Sequence, residues 1–535
     1  MDNRLLLAII LSTIVLILFH YLYFSYFTPP PKPEEGVLRE NQTTVETVKS
    51  TTTPVVIKEP TIDAKSLLVK TPLYEAEISG FGARFKEFKL SRYYKSLREK
   101  NAINMITVPK EGLPFEVYLS SMPQIALLPF ESVNKSWDSL TLQERDKKNH
   151  TFRAQTSGLE LEKTFTFKGD SYFIDLDVKI TNISNQTLKD RLLIRGVFSP
   201  FSLGSDYVFK GPFYYTDHLK EVKLKDTLTE YVGPLKYLGY MDVYFETAVI
   251  PLQNGTYRAT FRKLSPEVAE FILWSEELSL DPGKSVNLSY KIYLGPKRAE
   301  DLQKEYPLLA KSLYFGVFDI VAKPLLFLLK FFNNFTQNYG WAIVLVTIII
   351  RILFYPLNHL SFRSMKKMQD LQPVFQKLRE KYKDDPQALQ REMMNLYRTH
   401  KINPFSGCLP ILIQIPVFIA FYNILLMAIE LRHAPFLLWI NDLSSPERLY
   451  LGSFELPLIG GIPILTLLMG ASMFVQQKLT PTTMDPTQEK IMLILPIFFT
   501  ILFINFPSGL VLYWFVNNLL SIGQQIITLR FFKSR

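Results

Sequence analysis

Residues 341–357, WAIVLVTIIIRILFYPL, decide how the rest of the chain is read. Apart from Thr347, Arg351 and Pro356, every residue in the stretch is aliphatic or aromatic, as a membrane-spanning helix requires. Arg351 follows Trp341 by ten residues. At ~1.5 Å per residue it lies about 15 Å deep, near the midplane of a hydrocarbon core about 30 Å thick. An arginine at that depth costs about 2.5–3.5 kcal/mol on the insertion scale. An acidic partner, snorkelling or water could offset this. A side chain reaching roughly 6–7 Å brings the charge to neither surface. A water-filled cavity open to one side is the expectation, and capping by backbone carbonyls and amides is the alternative.

The remaining apolar runs extend the membrane reading. Residues 5–27 follow Arg4 and exceed a signal-peptide core without a small-residue cleavage site, so an uncleaved transmembrane signal anchor is predicted at 1–27. Four further spans are predicted near 409–428, 458–476, 491–505 and 510–527, the last two joined by Phe506-Pro507-Ser508-Gly509. With the anchor this makes six spans, and none of their apolar runs (5–27 in the anchor) contains Asp or Glu, so no carboxylate within them can pair with Arg351. Polar residues do interrupt them: Thr347 one turn from Arg351, Gln414 and Asn423, then Asn517, Asn518, Gln524 and Gln525. Taken singly these read as helix-to-helix hydrogen bonding; as a group they point to a wet interior.

Between the anchor and these spans the pattern changes twice. Residues 28–60, rich in Pro, Thr, Lys and Glu, read as a flexible tether. From about 61 to 310 the period becomes two. Ile174, Leu176, Val178 and Ile180 alternate with polar residues, as do Leu159, Leu161, Phe165 and Phe167, and Leu288, Tyr290, Ile292 and Leu294. Antiparallel sheets with one wet face follow, in a large all-β sandwich. Residues 311–337 are apolar, but Asp319, Lys323 and Lys330 share one face and Pro324 interrupts the run. An interfacial amphipathic helix is predicted there, a buried soluble helix being the alternative.

The net charge of +10 is not gathered on one soluble patch, so specific DNA binding is not indicated. Ten Lys/Arg against five Asp/Glu fall in 361–403, whereas 430–456 has two against four. The positive-inside rule places both termini and the 361–403 loop in the cytoplasm and the β domain outside. In that loop Met365, Met368, Leu371, Phe375, Leu378 and Tyr382, then Leu389, Met393, Leu396 and Tyr397, recur at helical spacing around Asp384-Asp385-Pro386. A two-helix hairpin is predicted, with Pro373 kinking or delaying its first helix. Its methionines, Met365, Met368, Met393 and Met394, form either an adaptable contact surface or the seam between the helices. The one cysteine, Cys408, excludes a disulfide within the chain. There is no phosphate loop, no H-E-x-x-H, no G-x-S-x-G and no metal-ligand spacing among the six histidines, so no enzymatic chemistry, cofactor or metal is expected.

Several motifs carry a resemblance. Asn403-Pro404-Phe405-Ser406-Gly407-Cys408-Leu409-Pro410 leads on to Gln414-Ile415-Pro416-Val417-Phe418. Ala434-Pro435-Phe436 with Trp439, Pro481-Thr482-Thr483 and Phe506-Pro507-Ser508-Gly509-Leu510-Val511-Leu512-Tyr513-Trp514 follow in order. From about Tyr314 onward the chain resembles the YidC/Oxa/Alb membrane protein insertases. With its anchor and external domain it looks like the YidC type of Gram-negative bacteria, in which that domain is a periplasmic β-supersandwich similar to sugar mutarotases. The resemblance implies a polytopic inner-membrane protein with a five-helix core, 338–535, around a groove open to cytoplasm and lipid and closed outside. Arg351, Thr347, Gln414, Phe418 and Trp514 match groove positions; Trp514 stands where a second tyrosine often follows Tyr513. The hairpin matches the loop that receives substrate and ribosome. The implied partners are nascent membrane proteins, the ribosome, the lipid bilayer and the Sec translocon. A small-anion transporter or channel is the rival expectation, since it too would use an unpaired arginine; a sugar enzyme in the β domain is a third, for which no acid/base pair is evident.

Overall fold

The computed structural model describes residues 65–533 except 109–111, 135–136, 138, 157, 203, 206–207, 225–227, 384, 401–408, 452–459 and 481–485. The predicted anchor and tether, Cys408, the 403–408 motif and Pro481-Thr482-Thr483 lie outside the described residues.

The three strands quoted above stand side by side. Phe173–Asn182 pairs antiparallel with Leu159–Lys168 on one flank and with Ser285–Pro296 on the other, setting Leu176 opposite both Phe165 and Tyr290. Leu159, Leu161, Phe165 and Phe167 are buried and the residues between them are partly wet, as period two requires. Lys163 occupies the same buried face. It is held by donating from Nζ to the Gly82 carbonyl at 2.6 Å, with the Phe130 ring centroid 5.0 Å away. These strands belong to a nine-stranded sheet, which with two five-stranded sheets builds a large sandwich. Among the described residues all pairings are antiparallel except Ser66–Lys70 with Leu140–Thr141. Buried charges tie the five-stranded sheets together: Arg84 donates to Glu116 at 2.7 Å and Arg195 to Glu116 at 2.8 Å and to Glu270 at 2.7 Å. The desolvation of buried charges offsets much of their mutual attraction, so such a network adds little net stability.

The chain leaves the sandwich through α1 (Ala299–Gln303), a short 3-10 turn (Pro307–Ser312) and α2 (Asp319–Thr336). Ser312 donates to the buried carboxylate of Glu246 at 2.9 Å, and Lys330 of α2 pairs with Glu300 and, at 3.1 Å, with Glu430. Pro324 sits inside α2 without ending it. Ala322, Leu325, Leu326 and Leu329 are buried against the helices beyond, while Ile320, Phe327 and Phe335 are exposed. Arg432 closes the junction from the helical side, donating to the Tyr94 and Lys95 carbonyls at 2.8 and 3.2 Å and lying over the Tyr244 and Phe245 rings.

The helices that follow are α3 (Tyr339–Leu353), α4 (Tyr355–Asp370), α5 (Gln372–Lys381), α6 (Pro386–Thr399), α7 (Leu409–Met427), α8 (Ile464–Leu479), α9 (Pro486–Phe503) and α10 (Ser508–Lys533). Asn338 caps α3, accepting from the Gly340 and Trp341 amides. The Phe436 ring packs over Gly340 so closely that a Cβ there would lie 2.0 Å from a ring carbon. One expectation is corrected here: residues 341–357 are not a single helix. α3 ends at Leu353, and α4 leaves it at 61°. Pro356 accounts for the break, because it lacks an amide hydrogen and its ring clashes with the carbonyl four residues back. The span predicted from 458 likewise begins later, at Ile464, after the Gly460-Gly461 pair and Pro463. Among the described residues one unbroken helical stretch is long and apolar enough to cross a bilayer, Ser508–Thr528 within α10, and the bent pair α3–α4 qualifies if taken together. Leu412–Met427, Ile464–Leu479 and Met492–Phe503 are shorter apolar stretches.

The 361–403 loop folds as helices around the two predicted punctuation points. The helix breaks at Leu371, just before Pro373, and Asp385 caps α6 by accepting from the Gln387 and Ala388 amides. Phe375 of α5 is buried, its ring centroid 5.3 Å from that of Tyr397. No residue of α6 is buried.

Candidate functional site

Arg351 stands in the last turn of α3, where the negative end of the helix dipole offsets part of its cost. The bend at Phe354 and Tyr355 swings α4 away and leaves a small recess, with room for about one water molecule. Ile350, Arg351 and Phe354 line it from α3 and its end, Leu357 and Asn358 from α4, Ile413 and Gln414 from α7, and Asn517 from α10. No carboxylate is among them. Nε of Arg351 is buried with no hydrogen-bond partner among the described residues. Gln414 donates from Nε2 to the Tyr513 hydroxyl at 3.0 Å, so its amide is fixed while Arg351 beside it keeps donor capacity.

The predicted groove residues divide into three groups. Arg351 and Gln414 meet in the recess. Phe418 and Trp514 meet each other edge to face, with centroids 5.0 Å apart, and join Phe499 and Phe503 in an aromatic cluster next to it. Thr347 is not a lining residue: it is buried, and its hydroxyl donates back to the Ile343 carbonyl at 2.7 Å. Of the hairpin methionines, Met365 is buried on α4, Met368 and Met393 are half-buried and Met394 is exposed. Asn358 and Tyr513 escaped the sequence reading. Asn358 carried one signal, an amide seven residues after Arg351 in an otherwise apolar segment.

Several amides of the apolar helices are bonded to other elements rather than to the recess. Asn423 donates to the Phe315 carbonyl at 2.7 Å, Asn518 to Ser472 at 3.0 Å and Gln525 to Thr480 at 3.2 Å. The loops at the N-terminal end of α10 close the bundle above the recess. Ser508 donates to the Asp442 carbonyl, its amide bonds Ser445, and the Gly509 amide bonds Leu443. A Cβ on Gly509 would lie 2.5 Å from Leu425, so the close fit requires glycine. Ile343, Leu425, Leu443, Leu510, Val511 and Tyr513 are fully buried beneath these loops. The recess thus has a dry, packed ceiling.

Two family models match the chain in succession: the YidC periplasmic domain over residues 66–328 and the 60Kd inner membrane protein over residues 331–535. Among similar proteins, the membrane protein insertase YidC of Syntrophobacter fumaroxidans is 39% identical over 476 residues, covering 86% of this chain and 85% of its own. That of Geotalea daltonii is 35% identical and covers 98% of both chains. That of Lawsonia intracellularis is 36% identical and covers 99% of both. Matched in order over both its sandwich and its helices, and aligned with these relatives over nearly their whole length, the chain belongs to the YidC family of membrane protein insertases.

Proposed function

We propose that this protein inserts newly made polypeptides into the inner membrane, and that the Arg351 recess is where a substrate's polar flank rests on the way. The observation that carries the reading is a guanidinium in a recess without a carboxylate, beneath a packed ceiling. A polar recess partway through the bilayer shortens the apolar barrier, and Arg351 attracts acidic residues of the flank. The substrate's apolar segment then moves sideways into lipid, which supplies the driving energy at about 25 cal/mol per Å² of apolar surface.

The topology we propose has six spans, both termini and the α4–α6 region in the cytoplasm, and the sandwich in the periplasm. Helices of about 16 residues are ~24 Å long, shorter than the hydrocarbon core, so the bilayer thins around them. Phe418 and Trp514 offer aromatic surface to the apolar segment, Thr347 holds α3 in shape beside the recess, and the exposed Met394 with half-buried Met368 and Met393 offers a repacking surface. The basic hairpin suits the ribosome, and a Sec translocon partner rests on the family resemblance. A small-anion transporter would share the unpaired arginine, but it needs access from both faces, which the packed ceiling opposes.

Replacing Arg351 with Ala is expected to slow insertion of single-span substrates with acidic leaders about tenfold, the worth of one charge-assisted hydrogen bond of ~1.5 kcal/mol. Arg351→Lys should restore most of the rate in reconstituted vesicles. Equal rates with Ala would remove the electrostatic part of the proposal.

A further inference from the structure

Two polar stripes run side by side along α10. Asn518 and Gln525 form one and are bonded to Ser472 of α8 and to Thr480 at its C-terminal end. Asn517, Ser521, Gln524 and Thr528 form the other, at spacings that keep them on one face, with exposures of 8, 2, 7 and 6%. Asn517 lines the Arg351 recess, and the Ser521 hydroxyl donates to the Asn517 carbonyl at 2.8 Å. Gln524 differs from both. Neither Nε2 nor Oε1 has a hydrogen-bond partner among the described residues. A buried amide with donor and acceptor both open is unfavourable until a partner arrives, and native proteins leave few such groups unmade. Gln524 follows Asn517 by two turns, about 10.5 Å along the axis. α4, which supplies Asn358 to the recess, packs on α10 as well as α7, so stripe and recess share walls. A carboxamide offers one acceptor and two donors, the complement of a peptide group; a guanidinium offers donors alone, the complement of a carboxylate.

We propose that Gln524 is a second polypeptide-contact site, two turns along α10 from the recess: it takes the backbone of the passing substrate, while Arg351 takes its acidic side chains. This rests on the insertase reading given above. It adds a sequence-independent contact on the C-terminal side of the recess along α10, which is the cytoplasmic side in the proposed topology.

The test places a photo-reactive amino acid separately at position 413, which lines the recess, and at position 524, in the full chain in membrane vesicles. Each is challenged with ribosome-bound nascent chains of a single-span substrate. Crosslinks from 524 support the inference. Crosslinks from 413 with none from 524 overturn it and leave the insertase reading standing; none from either position overturns both. Gln524→Leu gives an independent readout. It removes an amide that has no partner in the resting fold, so thermal stability should hold or rise while insertion slows roughly fivefold, the size of one net hydrogen bond. A stably folded Gln524→Leu protein that inserts at the original rate overturns the inference.

Discussion

Arg351 and two groups in the sandwich show how single buried charges are handled in the two halves of this molecule. Arg351 sits at a helix end among amides, with donor capacity in reserve. Lys163 and Glu246 are instead enclosed, and burial shifts both toward neutrality. The Lys163 ammonium is pushed down to about 7, with Arg84 adding to the effect, and the Glu246 carboxyl is pushed up to about 7 despite Lys297 and Ser312. For Glu246 the folded state holds its proton where the unfolded chain has lost it. Its stabilising contribution is therefore full below pH 4.5 and lost as pH rises through about 7. For Lys163 the unfolded chain holds the proton longer, so its penalty is relieved as pH rises from about 7 to 10.5. Thermal unfolding of the sandwich should accordingly show a falling limb below neutrality that Glu246→Gln flattens and a rising limb above it that Lys163→Met flattens. Unchanged limbs in both variants would contradict these assignments. Period two assigned position 163 to the core face, but no sequence rule says that a carbonyl, Gly82, waits opposite it.

At the scale of elements, α5 and α6 bury the fewest residues of the helices after α3. Phe375 is the buried residue of α5, and α6 has none. Low burial predicts low local stability. Backbone amides of 372–399 should exchange orders of magnitude faster than those in the middle of α10. Phe375→Ala should abolish what protection they have, since about 3 kcal/mol of lost packing exceeds the stability of such a hairpin. Protection equal to that of α10 would contradict this low local stability. The punctuation of this region was legible because Pro373 and Asp385-Pro386 act locally through a missing amide and a cap. The break after α3 was less so. Pro356 sat in plain view within residues 341–357, but an uninterrupted hydropathy signal outweighed it, and only packing against neighbouring helices fixes the 61° bend.

For the whole molecule, the alternating strands and the apolar runs made a sandwich followed by membrane helices readable, because period and hydropathy are local properties of the chain. The order of strands across the nine-stranded sheet was not readable, since residues 159–168, 173–182 and 285–296 become neighbours only through long-range pairing. The site was half legible. Arg351 and Gln414 were visible as polar residues in apolar runs, whereas Thr347, which reads the same way, turns its hydroxyl onto its own helix. Asn358 entered the recess only because α4 bends. On the proposed reading the polar recess is closed on the side of the sandwich and the loops and open on the other, and labelling tests that directly. With Cys408→Ser as background, Gln414→Cys is exposed to a membrane-impermeant thiol reagent from each side of oriented vesicles. The account predicts modification from the cytoplasmic side and none from the periplasmic side; modification from the periplasmic side would contradict it and favour a two-sided transport path.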